Sequence, residues 1–275
     1  MRPLGARLPG RTVKRVRPRP RARWDGGGTG CVRNSRSGAG VGAPCESTHE
    51  HPEGRVMKIG IIGAGQIGGN LTRRLTTLGH EVSVANSRGP QTLTALADET
   101  GATPVTVAEA ARGAQVVVIT IPVKAVAGLP SALLDEAAED VAVIDTGNYY
   151  PQQRDGRIAA IEDGQTESSW TAERIGHPVV KAFNGIYAHN IIDQHLPKGA
   201  PGRYALPVAG DDEAAKQVVR DLIDEIGFDT VDAGGLDESW RQQPGTPVYG
   251  LSGGADEVRK ALDAASPDRT AAWRA

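Results

Sequence analysis

From Met57 to the C-terminus the chain contains no cysteine; its two cysteines, Cys31 and Cys45, both fall in the first 56 residues. Disulfides therefore contribute nothing to the fold of the body. Cys31, Cys45, His49 and His51 do form a string, but their spacing fits no compact zinc knuckle and is read as coincidence, so no metal site is expected. Long apolar runs are missing too. No apolar run reaches the ~18 residues without charge that a membrane span requires. The familiar acid–base signatures are equally absent. None of Tyr149, Tyr150, Tyr187, Tyr204 and Tyr249 is followed by lysine four positions on, and neither Gly-x-Ser-x-Gly nor His-Glu-x-x-His occurs. His177, His189 and His195 show no ligand spacing and are expected at the surface, with a place near a cleft left open for His189 or His195.

Charge is unevenly spread. Residues 1–56 carry 12 basic and 4 acidic side chains, a net +8, whereas the other 219 carry 19 and 29, a net −10. An acidic body does not point to nucleic acid. The first 56 residues are rich in Arg, Pro and Gly, without apolar periodicity, and are expected to be disordered. A nucleic-acid arm and an organellar targeting segment are two readings of this tail. Prolines at 3, 9, 18 and 20 spoil an amphipathic helix, and the adopted reading is an upstream extension, with translation beginning at Met57. A cytoplasmic location is expected.

What is present is a nucleotide signature. Met57 to Gly68 read Met-Lys-Ile-Gly-Ile-Ile-Gly-Ala-Gly-Gln-Ile-Gly, an apolar strand running into G-x-G-x-x-G and then a helix pattern. Gly63 suits a tight turn, Gly65 a close approach to pyrophosphate, and Gly68 tight helix–strand packing; Gln66 and Ile67 open the helix, whose free N–H groups favour phosphate. An NAD site would place Asp or Glu at the end of the next strand, Glu81 to Ala85. Here Asn86-Ser87-Arg88 follow, then Gly89-Pro90 opening another helix. A hydroxyl, a guanidinium and a helix N-terminus suit a ribose 2′-phosphate, and hence NADP(H), better than an ordinary polar turn does.

Strand and helix patterns keep alternating. Helices are expected over Gln91–Thr100 and, broken near Gly128–Pro130, over Val123–Glu139; Gln115–Ile121 and Val141–Ile144 read as buried parallel strands. Further on, a short helix over Ser168–Gly176 is expected with Ser168 or Ser169 as its cap. Strand-like runs cover Pro178–Phe183, Arg203–Ala209 and Phe228–Asp232, and a helix capped by Asp211-Asp212 runs to Ile226. The expected fold is α/β, a Rossmann-type doubly wound parallel sheet over 57–148 with a small C-terminal α/β domain over 149–275. Ligands in such sheets lie beyond the carboxyl ends of the strands. That adds Ile121 and Pro122, Asn148, and the segment holding Ala182, Asn184 and Ile186 to the candidate cofactor-binding residues. Hydride transfer between two ring systems needs alignment of donor and acceptor more than a general acid or base, in keeping with the missing acid–base motifs.

Together with Asn-Ser-Arg-Gly-Pro, Val-Val-Lys-Ala-Phe-Asn-Gly-Ile and Leu-Pro-Val-Ala-Gly-Asp-Asp, the glycine motif resembles the coenzyme F420-dependent NADP oxidoreductase family over roughly Met57–Leu251. The resemblance implies an NADP-binding Rossmann domain and a small domain that closes a hydride-transfer cleft. It further implies that Ser87 and Arg88 hold the 2′-phosphate, that Phe183–Ile186 border the deazaflavin, and that the protein is a homodimer acting on a small-molecule substrate. Archaeal members acting on coenzyme F420 have His where this chain has Asn184. The Lys-Ala-Phe-Asn form resembles bacterial relatives and flavin-using reductase domains, which leaves coenzyme F420, FMN and FAD open as acceptors. Two alternatives are an imine or hydroxyacid reductase of the pyrroline-5-carboxylate reductase-like group and a non-catalytic NADP-sensing module.

Overall fold

The computed structural model describes residues 55–275; the tail up to residue 54, with Cys31, Cys45, His49 and His51, lies outside the described residues. Six parallel strands form the main sheet. They are β1 (Lys58–Ile62), β2 (Glu81–Ala85), β3 (Thr103–Pro104), β4 (Val116–Ile119), β5 (Ala142–Asp145) and β6 (Val180–Lys181), in the order β3-β2-β1-β4-β5-β6. This is the doubly wound dinucleotide-fold order, whose switch point lies between β1 and β4.

Alternation along the strands explains the two-faced core. Ile59, Ile61, Val82, Val84, Val116, Val118 and Ile144 join one apolar cluster; Ile62, Ala85, Val117, Ile119 and Val143 join the other. Against the first face pack α1 (Gln66–Thr77) and α2 (Thr94–Thr100), which contribute Leu71, Leu75 and Leu96. The short α3 (Val123–Val126), α4 (Ala159–Glu162) and α5 (Glu167–Ile175) supply Val123, Ile161 and Trp170 to the second. Gly60 is needed on that face, because a Cβ there would lie 2.1 Å from the Ala110 carbonyl oxygen.

After the short α6 (Asn190–Asp193), a second, two-stranded parallel sheet pairs β7 (Ala205–Val208) with β8 (Asp229–Asp232) around α7 (Glu213–Ile226). The last α-helix, α8 (Ala255–Asp263), packs on this pair. Lys181 and Ala209 exchange backbone hydrogen bonds of 2.8 and 3.1 Å, stitching the two sheets together. Asp212 caps α7, accepting from the Ala214 and Ala215 N–H groups at 2.9 and 3.1 Å. None of the helices among the described residues is long and apolar enough to cross a membrane.

Several local expectations are corrected. The helix expected over Gln91–Thr100 is a 3-10 turn at Pro90–Thr92 followed by α2. The one expected over Val123–Glu139 stops at Val126, because Gly128 and Pro130 leave only successive turns. The cap of α5 is Thr166 rather than Ser168 or Ser169: its hydroxyl accepts from the Ser169 N–H at 3.1 Å. Ser168 instead turns inward to Asp145.

Candidate active site

The three motif glycines have three distinct steric reasons. Gly63 has φ +112° and its would-be Cβ lies 2.2 Å from the Thr120 carbonyl oxygen, so no other residue fits the turn. A Cβ on Gly68 would sit 1.9 Å from the Gly63 oxygen, which is the close helix–strand approach. Gly65 is the opposite case: it is exposed, and no atom lies within 4 Å of where its Cβ would be. Its glycine keeps space open instead of relieving a clash inside the protein. Behind that space α1 begins with neither a side-chain cap nor an acidic residue in its first turn. The N–H groups at Gln66 and Ile67 thus face the opening with the positive end of the helix dipole, a fit for pyrophosphate.

At the end of β2, Asn86 shapes the loop. Its side chain accepts from the Arg88 N–H at 2.9 Å and donates to Thr92 Oγ1 at 2.9 Å. Ser87 and Arg88 are left exposed, and the Arg88 guanidinium has no ion-pair partner among the described residues. The helix start expected at Gly89-Pro90 is only the short 3-10 turn, so charge and hydroxyl rather than a helix dipole are what this loop offers an anion.

Past β4, Ile121 and Pro122 are half-buried, and Ile121 Cγ2 lies against Gly63. Past β5 and β6 the site becomes polar. Asn148 and Asn184 clasp one another: Asn148 Nδ2 donates to the Asn184 carbonyl at 2.8 Å, and Asn184 Nδ2 donates to Asn148 Oδ1 at 3.1 Å. Asn184 Nδ2 also donates to the Gln242 carbonyl at 2.6 Å, while its buried Oδ1 has no partner among the described residues. A buried acceptor without a donor is costly unless a ligand supplies one, and a nicotinamide carboxamide N–H would. Before it, Phe183 is the one non-glycine described residue with positive φ, +59°. Such a strained backbone needs a rigid surround. Ala182 is fully buried and donates its N–H to the Asp145 carbonyl at 3.2 Å, whereas Ile186 is half-buried against the core.

The histidines divide. His189 is exposed a few residues beyond Asn184, stacked on Tyr187 with ring centroids 5.9 Å apart. His195 is placed elsewhere, lining a cavity of about 340 Å³ with Arg73, Arg74 and Thr77 at the far end of α1.

Sequence reasoning missed what lies beneath the β5 and β6 strand ends. Lys181 and Glu167, each about 1% exposed, form an ion pair of 3.2 Å, and Lys181 Nζ donates to the Gly147 carbonyl at 3.0 Å. Arg269, from the C-terminal segment, reaches Glu167 Oε1 and Gln243 Oε1, both at 2.8 Å. Asp145 accepts from Ser168 Oγ at 2.6 Å and from the Gly147 N–H at 2.9 Å. The Tyr150 and Tyr249 hydroxyls share a hydrogen bond; burial, reinforced by Tyr150, pushes the Tyr249 phenol far above its ordinary pKa, so it stays protonated at neutral pH. The partners in this network stand tens of residues apart, and no local pattern announces them.

Comparison with known proteins agrees with this geometry. Residues 58–149 match the family model described as NADP oxidoreductase, coenzyme F420-dependent. The protein YjhV of Escherichia coli (strain K12) is 56% identical over 54 residues, 20% of this chain; the match spans only 39% of that curated relative's length. The crystal structure of the hypothetical protein SMa0349 from Sinorhizobium meliloti superposes with a TM-score of 0.60 at 29% identity, covering 71% of this chain and 94% of that one. An Arthrobacter sp. FB24 protein that carries the provisional name F420-dependent NADP-reductase gives 0.53 at 25% identity, covering 66% and 86%. Residues 58–149 thus form an NAD(P)-linked oxidoreductase domain that matches the coenzyme F420-dependent NADP oxidoreductase family.

Proposed function

We propose that the protein is an NADPH-dependent oxidoreductase that passes hydride to coenzyme F420 or a related flavin-type acceptor, FMN or FAD. The carrying observation is the order of groups along the strand ends. An open glycine turn and an unpaired Arg88 stand at β1 and β2; a carboxamide pair with a free buried acceptor stands at β5 and β6. In this reading Ser87 and Arg88 hold the 2′-phosphate, and Gly65, Gln66 and Ile67 receive the pyrophosphate. Ile121 and Pro122 wall the ribose path, and Asn148 and Asn184 orient the nicotinamide. Residues 57–148 hold the dinucleotide and 149–275 complete the cleft.

The nicotinamide supplies a hydride, which is two electrons and a proton, and becomes oxidised. Solvent provides the second proton of the reduced acceptor. The protein's own task is alignment and exclusion of water, for which an amide pair suffices without an acid–base couple. The β7–β8 pair, with α7 and α8, stands where imine and hydroxyacid reductases add a long all-helical domain, which disfavours that alternative. The test is oxidation of NADPH and NADH by the full chain with coenzyme F420, FMN and FAD in turn. NADPH-selective turnover of one of them is expected; tight NADPH binding with no turnover of any acceptor would leave a sensing module and overturn the proposal.

A further inference from the structure

The chain has five tyrosines, and three of them, Tyr150, Tyr187 and Tyr249, gather around the crevice at the ends of β5 and β6. Tyr150 and Tyr249 are tied to each other through their hydroxyls. Tyr187 is the outlier, 56% exposed although its loop is held at several points. Asn70, one turn into α1, donates to the Ala188 carbonyl at 2.7 Å, the Gly250 N–H donates to the Gly185 carbonyl at 3.1 Å, and Asn190 donates to Ser252 Oγ at 3.2 Å.

The ring is positioned as well as the loop. Its phenol end leans on Gly250, where φ is +79° and an added Cβ would come within 3.1 Å of the Tyr187 hydroxyl. His189 lies against it, the two planes 24° apart. A large aromatic surface held open by its neighbours is what recognition of a flat ligand needs, since little side-chain freedom remains to be lost on stacking. Asn70 connects this loop to the dinucleotide helix, and Asn184 stands three residues before Tyr187. The loop that carries the open ring is thus tied to the dinucleotide helix on one side and follows Asn184 on the other.

We propose that Tyr187, backed by His189, is a stacking platform for the hydride acceptor, and that it restricts the acceptor to planar fused-ring compounds of the isoalloxazine or deazaflavin type. This rests on the reading of the site given under Proposed function. A fused ring system offers two faces, one for the platform and the other for the nicotinamide. A keto acid or a small imine offers no comparable surface to stack.

The experiment is an equilibrium titration without turnover. The full chain saturated with NADP+ is titrated with FMN, and separately with coenzyme F420, following quenching of the acceptor's fluorescence. The native protein is expected to bind at least one of them. Tyr187→Ala is expected to weaken that binding about tenfold, the order reported for loss of one aromatic stacking partner. Tyr187→Phe restores it, and both variants keep the native NADPH affinity and melting temperature. Unchanged acceptor affinity in Tyr187→Ala, or an equal loss of NADPH affinity, overturns the platform. If native protein oxidises NADPH with either acceptor and Tyr187→Ala does so with an unaltered KM, the platform alone falls. If native protein binds NADPH but neither acceptor, the acceptor half of the proposed function falls and takes the platform with it.

Discussion

The strand ends at β1 and β2 and those at β5 and β6 are built on different principles. At β1 and β2 the groups that matter lie within a few residues of one another, and steric exclusion decides their identity: Gly63 and Gly68 are glycine because backbone atoms lie about 2 Å from any Cβ, as the spacings of 2.2 and 1.9 Å record. At β5 and β6 the shape comes from hydrogen bonds between distant segments. Asn148 meets Asn184 across 36 residues, Gln242 meets Lys181 across 61, and Arg269 meets Glu167 across 102. One end is a short turn, closed by the Thr120 carbonyl against Gly63 and by the Gly63 oxygen against Gly68. The other exists only once the whole body has folded, and its buried charges are costly to leave unpaired.

That contrast sets the order of expected effects. Glu167→Gln should be the most damaging change, because it leaves Lys181 and Arg269 without their shared carboxylate. Removing one member of a buried pair costs about 3–5 kcal/mol, readable as a large fall in melting temperature. If stability hardly moves, the network is not what holds the β5–β6 end. Gly68→Ala comes next, with about 1–3 kcal/mol of overpacking, accompanied by loss of NADPH binding. Arg88→Ala should leave melting unchanged yet weaken NADPH by about 1.5–3 kcal/mol while NADH hardly changes. Equal losses for the two nucleotides would make Arg88 structural.

A gentler test separates space from packing. Gly65→Ala places a methyl where nothing in the protein stands, so melting should stay within about 0.5 kcal/mol of native while NADPH affinity falls. Undiminished affinity would mean that the pyrophosphate does not use this opening. The smallest effect concerns acid stability, away from both ends. Burial alone would raise the Asp232 pKa, but the Gly234 N–H, Lys216 and Arg220 outweigh it and hold it below the ordinary carboxylate value. A depressed native pKa stabilises the fold above the unfolded value and is lost as pH falls from about 4 through the native one. Asp232→Asn should therefore flatten the stability loss in that acid window and nowhere else; an unchanged acid limb in thermal melts would refute the assignment.

The glycine turn, the buried strands and the parallel sheet were legible because each is written in a local period or a single steric demand. Ser87 and Arg88 stand out in the sequence for the same reason, as a short segment at a fixed distance from the glycines, and the structure leaves both exposed. Helix ends were less so: tertiary contacts gave the cap of α5 to Thr166 and drew Ser168 down to Asp145. Asn148 and Asn184 were singled out as strand ends, but their mutual clasp and the orphaned Oδ1 were not visible. Lys181 sat inside the strand-like run Pro178–Phe183, and Arg269 fell in no sequence pattern. Only pairing across the fold reveals that they share Glu167.

The most direct measurement is a single turnover in which protein loaded with one equivalent of NADPH is mixed with coenzyme F420 or FMN, and nicotinamide and acceptor absorbance are followed together. The account predicts that reduced nicotinamide disappears and reduced acceptor appears in one step, one for one, with far slower reaction from NADH at the same concentration. Protein that holds both NADPH and acceptor while no electrons pass between them would contradict it.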